Sequence, residues 1–192
     1  MSNQSLVIAT ALLSALFATS LGIASDNTAQ PESETEPVDN GHFAAVESDD
    51  APSDLSRPYD ETRNAIADVE AALSRARTRG VNTIIIMGAN WCHDSRGLAT
   101  HLSSDRFSPM IRQNYELVYV DIGSPQTGGA RNLEIPARYG VEDISGTPNV
   151  LIISPNGTLL NTAKDVKSWR NADSRDADDV YAYFESYRAD QK

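Results

Sequence analysis

The sequence predicts an α/β domain in which helices flank a central mixed β-sheet. Three apolar runs are typical of buried strands, and segments of helical periodicity separate them: Asn82–Met87, Glu116–Asp121 and Val150–Ile153. The last run continues through Asn156-Gly157, a strong turn signal, into a second short apolar run. The element order α-β-α-β-α-β-β-α then places helices on both faces of the sheet and an antiparallel hairpin at its end.

A first helix is predicted between Asp60 and Gly80. Asp60 suits the N-cap position, and a glycine ends a helix readily because it adopts the left-handed conformation. Apolar residues recur between them at helical spacing: Ile66, Val69, Leu73 and Ala76. The run of isoleucines that follows predicts a strand buried on both faces.

Further helices are predicted along the rest of the chain. One begins after Cys92, and another covers Ala130–Tyr139, where Pro136 bends or divides it. The last helix covers Asp176–Arg188 and carries a stripe of large side chains: Val180, Tyr181, Phe184 and Tyr187. We expect this stripe to pack in the core.

The charge of the chain lies mostly in its leading segment. The net charge is −11, and residues 1–52 hold eight acidic residues but no Lys or Arg. The remaining 140 residues, with 19 acidic and 16 basic residues, have the composition of one ordinary domain. They lack a basic stripe, which argues against nucleic-acid binding.

The N-terminal third of the chain predicts export and a tether. Leu6–Ala24 is apolar and ends in small residues, so residues 1–24 fit a cleaved signal peptide better than an uncleaved membrane anchor or a cytoplasmic segment. Residues 25–55 are acidic and poor in apolar side chains, which predicts a disordered linker. The folded domain then covers residues 56–192, and the expected location is periplasmic or otherwise exported, with or without anchoring to the inner membrane.

Cys92 is the only cysteine of the chain, so an internal disulfide is excluded. It lies where a predicted strand meets a predicted helix, and the free N–H groups and dipole of a helix start favour a reactive thiolate. No metal site is predicted. Cys92, His93 and Asp94 are consecutive, and His101 falls about half a turn out of phase on the helix.

Three local motifs resemble the thioredoxin-like superfamily, in particular its exported bacterial members. Trp91-Cys92-His93-Asp94-Ser95 is similar to the Trp-Cys-x-x-Cys active site except at its last position. Gly146-Thr147-Pro148 is similar to the loop whose cis-proline faces the active-site cysteine, and the Asn156-Gly157 hairpin is similar to the final strand pair. The resemblance covers the chain from about Tyr59 to Arg188.

The resemblance implies a role for each residue of these motifs. Cys92 would be the nucleophile, exposed at the first turn of its helix, and Ser95 would donate a hydrogen bond to its thiolate. Substrate would bind along Trp91, Thr147 and Pro148, with the Thr147 backbone pairing to an extended segment. The remaining positions would tune the acidity of the thiol: His93, Asp94 and Arg96.

Two departures from the family pattern concern the release of substrate. Ser95 stands where the family has its second cysteine, so Cys92 has no partner for intramolecular attack on a mixed disulfide. Ile86 stands where the family has a buried carboxylate that assists proton transfer. Both departures predict that release depends on an external thiol.

Two functions from different classes follow. The first is a monothiol thiol–disulfide exchange protein of the cell envelope, of the isomerase or deglutathionylation type. The second is a non-catalytic client-binding or chaperone-like module with a degenerate active site. No cofactor is expected, and glutathione or another external thiol would serve as co-substrate. The expected partners are protein thiols and disulfides or glutathione. The domain is expected to be a monomer that meets a membrane only through an N-terminal anchor.

Overall fold

The computed structural model describes residues 57–189. The predicted signal peptide or anchor and the predicted linker lie outside these residues. Within residues 57–189, no helix has both the length and the apolar character needed to cross a bilayer.

The described domain alternates helices and strands along the chain. Its elements are α1 (Ala65–Arg79), β1 (Asn82–Gly88), α2 (His93–Ser103), α3 (Ser108–Asn114), β2 (Tyr115–Asp121), β3 (Gly123–Ser124), β4 (Gly129–Ala130), α4 (Glu134–Ala137), β5 (Asn149–Ile153), α5 (Ala163–Val166) and α6 (Ala177–Ser186). Short 3₁₀ turns lie at Pro125–Thr127 and Ala172–Ser174.

A mixed sheet with β1 at its centre confirms the predicted fold class. The strand order is β2-β1-β5, with β1 parallel to β2 and antiparallel to β5. Ile85 of β1 is paired with Val118 on one side and Leu151 on the other. Every residue of β1 is buried, as its isoleucine run predicts.

Alternate side chains of β1 enter two separate cores, one on each face of the sheet. Ile84 and Ile86 pack with residues of α2, α3 and α6, whereas Ile85 and Met87 pack with residues of α1. This division follows from the period of two along a strand. Val180 and Phe184 of the C-terminal stripe are buried in the first core, as predicted.

The first helix begins later than predicted. Its N-cap is Asn64, whose side chain accepts a hydrogen bond from Ala67 N–H, and Asp60 is not the cap. Asp60 instead accepts hydrogen bonds from the backbone and hydroxyl of Thr62 in a preceding turn. Both residues are good cap formers, so the sequence offers competing starts. Gly80 ends the helix with φ of 69°, as predicted.

The predicted helix over residues 130–139 is largely wrong. Ala130 belongs to β4, which pairs with β3, and only Glu134–Ala137 forms a helix. Asn132 has a positive φ of 56° and donates from its side chain to the Asp121 carbonyl across 2.8 Å. These contacts with the end of β2 compete with helical hydrogen bonds in this segment.

The predicted hairpin forms its turn, but its second strand is reduced to one bridge. Ile153 and Leu159 make that bridge around Asn156-Gly157. Beyond it, the side-chain amide of Asn161 replaces a strand: it accepts from Ile152 N–H at 3.0 Å and donates to the Val150 carbonyl at 2.8 Å. One buried side chain thus satisfies two backbone groups on the free edge of β5.

Candidate functional site

Cys92 lies in a tight turn between β1 and α2. Its N–H donates to the Ala89 carbonyl across 3.1 Å, and Cys92 itself is the N-cap residue of α2. The cysteine is buried, with 8% of its surface exposed, so the expectation of an exposed thiol is wrong. Its Sγ donates to the carbonyl oxygen of Thr147 across 3.6 Å, which shows that the loop before β5 lies over it.

The loop over the thiol is buried and well supported. The Thr147–Pro148 peptide bond is cis, and both residues are buried. The side chain of Asn149 donates to the Gly146 carbonyl across 2.7 Å, which braces the loop from within. Residues 55 positions apart in sequence, Cys92 and Thr147, are thereby brought into contact.

Ser95 lies beneath this site. It does not make the hydrogen bond to the thiol that the sequence analysis predicts. Its side chain is fully buried, and its Oγ has no hydrogen-bond partner among residues 57–189. The hydroxyl points toward the end of β1, because a Cβ added to Gly88 would lie 2.7 Å from it. The predicted hydrogen bond from Ser95 to Cys92 is therefore absent.

Tyr59 is a buried polar residue of this region that no sequence motif marks. Its hydroxyl donates to the Ser95 carbonyl across 3.0 Å. The side chain of Asn90 holds the Tyr59 backbone at both ends, accepting from its N–H at 3.2 Å and donating to its carbonyl at 2.6 Å. Burial raises the pKa of Tyr59 well above its ordinary value, and the nearby Tyr119 and Cys92 raise it further. Only its place beside Pro58, where the folded part begins, hints at this role in the sequence.

His93 and Asp94 face the 3₁₀ turn at Ala172–Ser174. His93 Nε2 lies 3.4 Å from a carboxylate oxygen of Asp173, and the Asp173 N–H donates to Asp94 across 3.1 Å. Both residues thus fasten the start of α2 to this turn. Asp173 is 79 positions away from Asp94 in sequence, so no local pattern could have identified it.

Arg96 lies one helical turn after Cys92, on the same face of α2. Its N–H donates to the Cys92 carbonyl across 3.2 Å, and its side chain is half-buried. The Nε atom of Arg96 is buried and has no hydrogen-bond partner within the described residues.

Trp91, the residue before Cys92, lies at the surface. The side chain is large, and the residue is 54% exposed. Its indole N–H donates to the Gly123 carbonyl across 3.1 Å, which links it to β3, just after the end of β2. There Asp121 accepts from Gly123 N–H at 2.9 Å. Burial raises the pKa of Asp121 above its ordinary value, opposed by this hydrogen bond and by Arg131.

The position expected to carry a buried acid in the family is apolar in the fold as well. Ile86 is fully buried and packs in the core shared with α2. Among residues 57–189, no group of three or more His, Cys, Asp or Glu side chains is arranged to hold a metal ion.

Comparisons with known proteins agree with this geometry. A family model described as thioredoxin-like matches residues 64–155. The structure is similar to that of a disulphide isomerase from Xylella fastidiosa Temecula1, with a TM-score of 0.61 and 30% sequence identity. That similarity covers 68% of this chain and 95% of the isomerase chain. No curated protein matches the sequence.

Proposed function

Because the chain belongs to the thioredoxin-like superfamily, we propose that it is a monothiol thiol–disulfide exchange protein whose nucleophile is Cys92. The family and the similarity to a disulphide isomerase support thiol–disulfide exchange as the general class of reaction. The monothiol form of the reaction rests on the residues of the site.

One observation carries the proposal. Cys92 is the N-cap of α2 and lies 3.6 Å from the Thr147 carbonyl, while a buried Ser95 fills the place of a second thiol. The thiol can therefore meet a disulfide laid along the Thr147–Pro148 loop, with Trp91 beside it. Nothing in the chain can then displace the bound sulfur, because Cys92 is its only cysteine.

The reaction proceeds by two exchanges. The Cys92 thiolate attacks one sulfur of a substrate disulfide, and the other sulfur leaves as a thiolate that takes a proton from water. An external thiolate, or a second thiol of the same client, then attacks the mixed disulfide and frees Cys92. Each exchange breaks one disulfide and forms another, so no separate oxidant is needed.

The proposed setting is the cell envelope. It rests on the apolar stretch Leu6–Ala24 followed by small residues. Expression of the full chain with a C-terminal tag, followed by fractionation and N-terminal sequencing, tests it. Recovery of the intact chain in the cytoplasmic fraction would contradict this location.

The function is tested by comparing the full chain with Cys92→Ser. We expect the parent to form a mixed disulfide at residue 92 with a peptide–glutathione disulfide, seen by mass spectrometry, and to turn it over when reduced glutathione is added. Cys92→Ser should do neither. A parent that forms no adduct and releases no peptide thiol rules out the exchange function.

A second candidate function is client binding without turnover. The small exposed fraction of Cys92 and its hydrogen bond to Thr147 favour it, since the thiol is held back from solvent. In this case Cys92→Ser would still bind unfolded client protein beside Trp91. Equal client affinity for the parent and Cys92→Ser, together with no turnover by the parent, would identify this function.

A further inference from the structure

The guanidinium of Arg170 lies against the loop that covers the thiol. A Cβ added to Gly146 would lie 2.6 Å from Arg170 Nε and 2.7 Å from its Cζ, so the planar end of the side chain lies directly on this glycine. Its Nη2 donates to the Ser145 hydroxyl across 2.6 Å. The next residue of the loop is Thr147, whose carbonyl accepts from Cys92 Sγ. A positive charge is therefore held one residue away from the residue that contacts the thiol.

The segment that carries Arg170 is anchored on both sides of this residue. Trp169, the residue before it, is fully buried, and its ring stacks on that of Phe184 with the centroids 5.5 Å apart. Three residues after Arg170, a carboxylate oxygen of Asp173 lies 3.4 Å from His93 Nε2 at the start of α2. The segment thus joins the start of α2 to the loop before β5, and packing on both sides places Arg170 beside the candidate site.

No carboxylate of the described domain neutralises the charge of Arg170. Its hydrogen bond goes to a hydroxyl, and no carboxylate of residues 57–189 lies within salt-bridge distance of it. By contrast, Arg138 pairs with Glu70 at 2.6 Å, and Asp173, the acid of the Arg170 segment, faces His93. Arg170 is exposed, and a guanidinium carries several N–H donors. Its charge and its remaining donors are therefore available to a partner.

An extended client segment on this loop brings its own side chains to Arg170. If the segment pairs with the backbone of Thr147, the client residue that faces Gly146 is adjacent to the one that faces Thr147, since strand residues are about 3.3 Å apart. A carboxylate at that point can accept two parallel hydrogen bonds from the guanidinium. A lysine or arginine there is repelled by Arg170. The charge of the client residues next to the disulfide is thus read at this position.

We propose, building on the exchange function above, that Arg170 selects clients that carry an acidic residue close to their reactive disulfide. The partner is an extended protein segment with Asp or Glu within about two residues of the half-cystine that Cys92 attacks. The attack forms a disulfide between Cys92 and the client, and the other client sulfur leaves as a thiolate that is protonated by water. Arg170 takes no part in these bond changes and acts on the affinity for the client.

The first test compares attack on three symmetrical peptide disulfides. Each peptide has one cysteine, with Asp, Asn or Lys placed two positions away on either side. Formation of the adduct on Cys92 of the full chain is followed by mass spectrometry. Each rate is divided by the rate at which 2-mercaptoethanol cleaves the same peptide disulfide, which corrects for the reactivity of the peptide itself. The ratio of the corrected rates for the Asp and Asn peptides is the charge preference of the protein.

Substitutions of Arg170 should change this charge preference. We expect Arg170→Gln to lower it about two- to fivefold, as for loss of one exposed ion pair. Arg170→Glu should favour the Lys peptide, and Arg170→Lys, which keeps the charge, should retain most of the preference. Arg77→Gln removes an exposed arginine of α1 with the same change in net charge and should have no effect. If Arg170 acts only on the thiol, all rates fall together, the preference is constant and the proposal is wrong.

Binding without chemistry provides a second measurement. Cys92→Ser is mixed with the same three peptides carrying serine in place of cysteine, and the affinities are measured by calorimetry. The Asp peptide should bind more tightly than the Asn peptide, the Lys peptide should bind most weakly, and adding Arg170→Gln should reduce these differences. Equal affinities that the Arg170 substitution does not change overturn the proposal.

The Asn peptide separates this inference from the exchange function. It carries no charge beside its cysteine, so its reaction with the parent reports on exchange alone. An adduct with the Asn peptide, together with a charge preference that Arg170→Gln and Arg170→Glu leave unchanged, overturns the role of Arg170 and leaves the exchange function intact. The absence of any adduct on Cys92 with all three peptides overturns both.

Discussion

The hydroxyl of Tyr59 donates to the carbonyl of Ser95 across 3.0 Å, in the first turn of α2. This bond joins the segment before α1 to the helix that begins at the thiol. The side chain of Asn90 holds the Tyr59 backbone at the same time. Ser95, which stands in the place of the family's second cysteine, is therefore held by Tyr59 at the start of the described domain.

The raised pKa of Tyr59 predicts a loss of stability at high pH. A tyrosine ionises in the unfolded chain near its ordinary pKa of 10.0, whereas burial raises the pKa in the folded protein. The neutral form is thus favoured by folding, and its contribution is complete below about pH 10 and decreases as the pH rises above it. Burial also raises the pKa of Tyr119 and Tyr183, which adds to the effect. We expect the free energy of unfolding, measured with urea, to be constant up to about pH 10 and to fall as the pH rises further.

Tyr59→Phe checks the origin of this pH dependence. Removing the buried hydrogen bond should destabilise the fold by about 1 kcal/mol at neutral pH and flatten the alkaline decline. Tyr181→Phe is the matched control, because Tyr181 is half-buried and its ring rather than its hydroxyl makes the contacts seen here. An alkaline profile that is the same in Tyr59→Phe and the parent would show that Tyr59 does not contribute.

Ser95→Cys should give the site an internal resolving thiol. The new sulfur would lie three residues after Cys92 in the first turn of α2, in a buried position whose hydroxyl has no hydrogen-bond partner within residues 57–189. We expect the glutathione adduct of Cys92 to disappear without added thiol, by attack of the second sulfur. Mass spectrometry should then show an internal disulfide in the product. Ser103→Cys, at the other end of α2, is the control and should leave the adduct intact.

Gly97→Ala should destabilise the domain although it adds alanine to a helix. In an exposed helix the exchange stabilises by about 1 kcal/mol. Here a Cβ would lie 2.8 Å from the Asp173 Cα, so the turn that packs on α2 has to move. Because such overpacking costs about 1–3 kcal/mol, we expect a net loss in urea unfolding.

Gly129→Ala is the control for this substitution. Its Cβ would meet neighbouring atoms only at 3.8 Å or beyond, and we expect little change in stability. Gly97→Ala with parental or higher stability would show that the turn at Ala172–Ser174 moves away without cost.

Asn161→Ala should weaken the free edge of β5. The substitution leaves Ile152 N–H and the Val150 carbonyl without the partner that Asn161 provides. Asn161 is only 3% exposed, so water does not readily replace its side chain. We expect a loss of about 2–6 kcal/mol in the free energy of unfolding, since each of the two unsatisfied buried groups costs about 1–3 kcal/mol. Asn156→Ala in the exposed turn is the control and should change stability little. Equal stabilities of the two variants would contradict the role of Asn161.

The regular elements of the fold could be predicted where local signals agree. The apolar runs of β1 and β5 and the glycine at the end of α1 have these roles in the structure. The helix expected over Ala130–Tyr139 does not form over its whole length. Ala130 pairs with β3 instead, and the Asn132 side chain donates to the Asp121 carbonyl. Periodicity describes one segment at a time and does not include such partners.

The sequence by itself determined that one thiol follows the central strand and starts a helix, and that Ser95 and Ile86 leave it without a resolving thiol or a buried acid. Only the tertiary structure decided how that thiol is held. Thr147 covers it, Tyr59 supports Ser95, and Asp173 fastens the first turn of α2. These contacts join residues 36 to 79 positions apart, and their distances depend on how the sheet and helices pack. The local sequence specifies the reactive residues of the site, and tertiary packing determines the exposure and the neighbours of the Cys92 thiol.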